Sequence, residues 1–276
     1  MSSERTQDAE VKAPVAVEGI ERPRVLVVAG YDQSGGAGVL SDVKTLEAHS
    51  VYGYAVCTGF TFQNEQAISR IQWFSGEEIA EQIDICYTAA AFGLVKMGIT
   101  ADVRMAGAIV EHLRHHNPAV RIVWDPVIRA SSGREFWKSV GEDWKAVAAR
   151  CYLLTPNWNE IGQLYPGADV LEGCRELTRD TGCNVYLKGG HHPEFPGRDY
   201  LFNDGGMQVL EPEADSGQVY AKHGSGCVLS SSLAANLALG YALAPASIRS
   251  KQYTRQFLSS NKTLLGWHRP LENRMG

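Results

Sequence analysis

From Val25 onward, short apolar runs alternate with segments in which apolar residues recur every three or four positions, and few folds satisfy both patterns at once. The first run, Val25-Leu26-Val27-Val28-Ala29, is apolar at every position, as a strand buried on both faces of a parallel sheet must be. After a glycine-rich turn, Val39, Leu40, Val43 and Leu46 mark one face of a helix expected over 36–48. Further strands are expected at 54–61, 93–97, 121–124, 152–154 and 185–188, with helices near 77–90, 102–115, 143–149, 157–164 and 172–181. Residues 200–202 and 207–210, joined through Asn203-Asp204-Gly205-Gly206, read as a hairpin, and helices at 227–239 and 246–265 close the domain. Such alternation predicts an α/β fold with helices on both faces of a parallel sheet, and ligands of such sheets bind at the carboxyl ends of the strands.

A chain of 276 residues is long enough to bury a core without disulfides or structural metals, and one large domain is expected over 23–276. Residues 1–22 mix charges with few apolar side chains and read as a disordered tail rather than a leader peptide. The six cysteines show no repeated spacing, so a reducing cytoplasm is the expected setting. With a net charge of −5, no basic stripe and no apolar run of membrane length, neither nucleic acid nor membrane is an expected partner. Small molecules are.

The strongest local signal is His223-Gly224-Ser225-Gly226-Cys227, a turn of small residues running into a helix of Ala, Leu and Ser. Free amides and the helix dipole would converge there as an anion hole, although an ordinary glycine-rich helix start has the same composition. Cys227 falls in the first turn, where a thiol pKa is expected to be lowered; it either acts as a base or packs. A second glycine loop, Gly30 to Gly38, follows the first strand but has neither dinucleotide-fold nor Walker spacing. Asp125 ends one strand and Glu160 follows another, so two carboxylates reach the ligand edge, where oxygen donors suit Mg²⁺. Asn157 with Glu160 also has capping-box spacing, and Lys188 offers a cation at the same edge. His112, His115 and His116 have helical metal-ligand spacing, with a solvated helix end as the simpler reading.

Taken in order, Gly30-x-Asp32-x-Ser34-Gly35-Gly36-Ala37-Gly38, Ser41-Asp42-Val43-Lys44-Thr45, Gln63-Asn64, Lys96-x-Gly98, Asp125-Pro126-Val127, Thr155-Pro156-Asn157-x-x-Glu160, Lys188-Gly189-Gly190-His191 and Gly224-Ser225-Gly226-Cys227 resemble the hydroxymethylpyrimidine/phosphomethylpyrimidine kinases of thiamine biosynthesis. These are ribokinase-like proteins. The resemblance implies a three-layer α/β/α sandwich, a homodimer, and ATP- and Mg²⁺-dependent phosphorylation of 4-amino-5-hydroxymethyl-2-methylpyrimidine, often followed by a second transfer onto the product. It implies Cys227 as base, where sugar kinases carry aspartate, with Gly224, Ser225 and Gly226 as anion hole. Gly30, Asp42, Gln63 and Val127 match positions that hold the ring, with Ile99, where the family usually has methionine, on the substrate wall. Asp125 and Glu160 match the metal and phosphate region, and Asn157 and Lys188 the nucleotide side. A pyridoxal kinase of the same fold, or a pyrimidine-sensing module without turnover, are the rival readings.

Overall fold

Alternate residues of the first strand divide between two cores. Leu26 and Val28 belong to one, and Val25, Val27 and Ala29 to the other. A strand can do this only when helices cover both faces of its sheet. The computed structural model describes residues 22–129, 135–137, 141, 143–190, 192, 194–212 and 218–271. The tail expected over 1–22 therefore lies, apart from Arg22, outside the described residues.

In chain order the elements are β1 (Arg24–Asp32), α1 (Gly38–Ala48), β2 (Tyr52–Gln63), β3 (Ile68–Trp73), α2 (Gly76–Ala89), β4 (Leu94–Met97), α3 (Val103–His116), β5 (Arg121–Trp124), α4 (Trp144–Ala148), β6 (Leu153–Leu154), α5 (Trp158–Leu164), α6 (Val170–Thr181), β7 (Asn184–Leu187), β8 (Asp199–Asn203), β9 (Gly206–Leu210), α7 (Ser225–Ala238) and α8 (Leu243–Ser259). The nine strands form one sheet in the order β3-β2-β1-β4-β5-β6-β7-β8-β9. The six strands from β2 to β7 in that order pair in parallel, while β3, β8 and β9 run antiparallel at the edges. Helices α2 to α6 supply Ile83, Val110, Trp144, Leu164 and Leu177 to one core. Leu46 of α1, Leu233 of α7 and Ala246 of α8 enter the other. This is the expected three-layer α/β/α sandwich.

Two expectations are corrected. Strand β3 was not anticipated: its Ser69, Arg70 and Gln72 give an edge strand little apolar signal, and it is recognised by its pairing with β2 across the Asn64–Ala67 turn. The last helix ends at Ser259 rather than 265, and the following residues turn back against the loop before α7, where the Leu264 carbonyl accepts from the His223 amide at 2.9 Å. Lys222 donates to the carbonyls of Asn261 and Thr263 in the same contact. Among the described residues no helix is long and apolar enough to cross a membrane.

His268, in that returning segment, lies by Thr45 of α1, its Nδ1 3.2 Å from the hydroxyl. Burial, with Lys44 nearby, pushes its imidazole down to about 4. The unfolded chain takes up this proton near pH 6.5, so between the two values the unfolded state binds more protons and stability falls as pH drops. Burial lowers His49 in the same direction. The melting temperature should fall by roughly 4–8 °C on going from pH 7.5 to pH 5, about 2 kcal/mol for His268, and the slope should flatten in His268→Gln.

Candidate active site

A cavity of about 1590 Å³ opens at the carboxyl ends of the strands, between β1, β4, β5 and β7 and the start of α7. Of the residues singled out in the sequence, Gly30, Gln63, Ile99, Val127, Asp125, Asn157, Glu160, Lys188, Gly224, Ser225, Gly226 and Cys227 all line it. Asp42, fully buried, stands behind that lining.

The glycine loops bring two of its walls together. Gly224 has φ 76° and ψ 13°, and a Cβ there would fall 1.9 Å from the carbonyl oxygen of Gly36. Only glycine accepts both the left-handed backbone and the contact, so the α7 start is pressed against the first loop. Among the described residues no side chain caps α7, which leaves the amides of its first turn to face the cavity. Across the contact, Asp32 accepts hydrogen bonds from Ser34, from the Ala37 amide at 2.9 Å and from His223 Nε2 at 2.8 Å. Burial would raise the Asp32 pKa, but these hydrogen bonds outweigh it and hold the carboxyl below its ordinary range. Neither Asp32 nor His223 was assigned a role from the sequence, since their pairing spans 191 residues. His223→Ala leaves Asp32 its Ser34 and Ala37 partners but releases the α7 start from the first loop. Losing one hydrogen bond to a charged group, about 1.5–3 kcal/mol, should cost roughly tenfold or more in kcat/KM by steady-state kinetics.

The opposite wall is charged. Lys188 Nζ lies 2.7 Å from Asp125 Oδ1 and 3.8 Å from Glu160 Oε2, while Ser230 Oγ reaches Asp125 Oδ2 at 3.3 Å. A parallel bridge sets Asn157 beside Lys188, and Asn157 and Glu160 form the expected capping box at the start of α5. Burial, and then the like charge of Asp125, push the Glu160 carboxyl up to about 7 against the pull of Lys188. A Cβ on Gly226 would stand 3.4 Å from Lys188 Nζ and 3.7 Å from Asp125 Oδ2, so the charged wall and the helix start meet at this glycine. Two carboxyl groups, both hard oxygen donors, face one ammonium here, and an arriving cation would displace the proton that Glu160 holds near neutrality. That donor set fits a magnesium ion held partly through water.

In the first turn of α7, Cys227 departs from expectation. Burial pushes its thiol up to about 11, although Lys96 and the Gly38 amide favour the thiolate. Desolvation outweighs the helix start, so the expected lowered pKa is corrected to a raised one. Lys96, at the end of β4, is fully buried yet lines the cavity. Its Nζ is 2.7 Å from Asp42 Oδ2, and Ser231 Oγ donates to Asp42 Oδ1 at 2.6 Å. Burial would favour the neutral amine, but the negative charge of Asp42, with Asp125 and, once its thiol ionises, Cys227, outweighs it and raises the Lys96 pKa. Asp42 is thus spent on Lys96 and Ser231, behind the wall. Sequence spacing assigns Lys96 no role, because its charge acquires meaning only through α1 and α7 folding over it.

The remaining wall is apolar. A Cβ on Gly30, at a register shift in β1, would clash with Ile99 Cδ1, so Ile99 closes over the strand end; Val127 and Phe136 also line the cavity. Trp158, for which spacing suggested no role, lines the cavity beyond Asn157. Gly189 donates its amide to Asp199 at 2.6 Å, which ties the Lys188 loop to the antiparallel edge; His191 lies outside the described residues.

A family model described as phosphomethylpyrimidine kinase matches residues 32–272. The chain belongs to the phosphomethylpyrimidine kinase family. Among curated members, it is 31% identical over 245 residues to the hydroxymethylpyrimidine/phosphomethylpyrimidine kinase of Rhizobium meliloti (strain 1021), covering 85% of this chain and 90% of that protein. The Escherichia coli (strain K12) protein of the same name is 31% identical over 225 residues, 78% of this chain and 83% of that one. The crystal structure of phosphomethylpyrimidine kinase from Clostridium difficile 630 superposes with a TM-score of 0.71 at 29% identity, over 85% of this chain and 99% of that one. Pyridoxal kinase from Staphylococcus aureus in complex with ADP superposes with a TM-score of 0.74 at 21% identity, over 92% and 96%, a likeness of fold. As a phosphomethylpyrimidine kinase family member, the chain has its glycine loops, charged wall and cysteine around one cavity.

Proposed function

We propose that this chain transfers the γ-phosphoryl group of ATP to the hydroxymethyl group of 4-amino-5-hydroxymethyl-2-methylpyrimidine, and in a second turn to the resulting monophosphate, in the cytoplasm and as a homodimer. The observation that carries this reading is the meeting, at Gly226, of an uncapped helix N-terminus with the Lys188–Asp125 pair, directly above Cys227 and Lys96, in a chain of this family. Six unpaired cysteines support a reducing compartment.

Amides of Ser225, Gly226 and Cys227 would hold the non-bridging oxygens of the transferring group, and Lys188 would offset their charge. When bound near Asp125 and Glu160, magnesium would supply further neutralisation of the phosphates. Ile99, Val127 and the Gly30 backbone would clamp the ring, with Gln63 at its rim and Asn157 towards the nucleotide. Cys227 would take the hydroxyl proton. With a thiol near 11, only about one molecule in 10⁴ is thiolate at pH 7, so the proton moves as the phosphoryl transfer advances, with Lys96 alongside to stabilise the thiolate that forms.

The test is ADP formation from ATP with the pyrimidine alcohol, its monophosphate and pyridoxal assayed side by side. Turnover is expected with the first two. A higher kcat/KM for pyridoxal would overturn the substrate assignment, and binding of the pyrimidine without ADP would make the chain a sensor. Light scattering reads the dimer.

A further inference from the structure

A second cluster of ligating side chains lies far from this cavity. On α3, His112 and His116 are one helical turn apart, and Asp84 faces them from α2. His112 Nε2 is 2.7 Å and His116 Nε2 2.6 Å from the same oxygen, Asp84 Oδ1, and the three ligand atoms lie within 4.8 Å of one another. All three belong to the C-terminal halves of their helices. They therefore sit towards the amino ends of the parallel strands, whereas the cavity lies at the carboxyl ends, and none of them lines it.

We infer that Asp84, His112 and His116 form a binding site for a divalent transition metal, zinc by its chemistry, that joins α2 to α3. Two imidazoles four residues apart on a helix present their nitrogens to one point, and a carboxylate from a neighbouring helix completes a mixed nitrogen and oxygen set suited to zinc rather than to magnesium or calcium. The geometry needs little adjustment. Bonds of about 2.0–2.2 Å at tetrahedral angles put donor atoms about 3.3 Å apart, so each histidine nitrogen need only move about 0.6 Å away from Asp84 Oδ1 to admit the ion. Tyr87 stacks on the His116 ring, with centroids 4.3 Å apart and planes 8° from parallel, which fixes the orientation a ligating imidazole needs. Asp84 is half exposed, which leaves room for water as a fourth ligand. Its alternative role, accepting hydrogen bonds from two histidines, predicts no affinity for zinc.

Chelator-treated protein titrated with zinc chloride, followed by calorimetry, should bind one equivalent that is missing from His112→Asn/His116→Asn. That variant keeps Asp125, Glu160 and Cys227, so zinc taken up in the cavity cancels in the difference. Its kinase activity with ATP and magnesium should equal that of the parent chain. At zinc concentrations a hundredfold above Kd, the melting temperature of the parent should rise by about 5–10 °C, and that of the variant should not. If the double variant unfolds, Asp84→Asn provides the same comparison without touching the rings. X-ray absorption of the zinc-loaded protein should show two imidazoles. Equal zinc uptake by parent and variant, or an absorption spectrum without imidazole ligands, would overturn the site.

Discussion

Cys227→Ala should lower kcat by roughly 10²–10⁴ while leaving ATP affinity nearly unchanged, because it removes the group proposed to accept the hydroxyl proton and none of the groups proposed to hold phosphates. The raised thiol pKa makes the pH profile the sharper measurement. If the thiolate is the acceptor, its population grows tenfold per pH unit until about 11, so turnover of the parent should keep climbing above pH 8. The alanine variant should lose that climb. A free thiol would instead level off near its ordinary value. Unchanged turnover in Cys227→Ala, with a flat profile in both proteins, would reduce Cys227 to part of the pocket wall.

Lys96→Met should destabilise the fold by about 3–5 kcal/mol, because it strips the partner from a carboxylate that has no access to water. Asp42 would keep only the Ser231 hydroxyl, and its carboxyl, already raised by burial despite the Lys96 charge, would rise further. Thermal unfolding should show a loss of roughly 6–20 °C. The double variant Lys96→Met/Asp42→Leu should recover most of it, since replacing both charges by apolar groups removes the desolvation penalty along with the attraction. Recovery of stability without recovery of turnover would separate the structural part of the pair from its electrostatic effect on Cys227. A single variant as stable as the parent would mean that Asp42 is protonated in the native state and that the ion pair is not there.

Much of the site was legible because its residues are grouped locally. Glycines that turn the chain, such as Gly224 and Gly226, and carboxylates at strand ends, such as Asp125, announce themselves within a few residues, and an α/β alternation puts all strand ends on one edge. Asp42 marks the limit of this legibility: its position in a motif is local, but its partner Lys96 is 54 residues away. Asp32 with His223, and Asp84 with His112 and His116, are pairings of the same long-range kind.

Cys227 divides the two contributions most clearly. Apolar runs and three- to four-residue spacing determined a parallel sheet between helices, and the small residues from Gly224 to Cys227 determined a helix start without a side-chain cap; both follow from backbone preferences that act over a few residues. Only the tertiary structure decided what kind of thiol Cys227 carries. Its protonation depends on how much water the surrounding layers exclude and on which charges they press against it, and those layers are α1, β4 and α7, distant in the chain and joined only by folding.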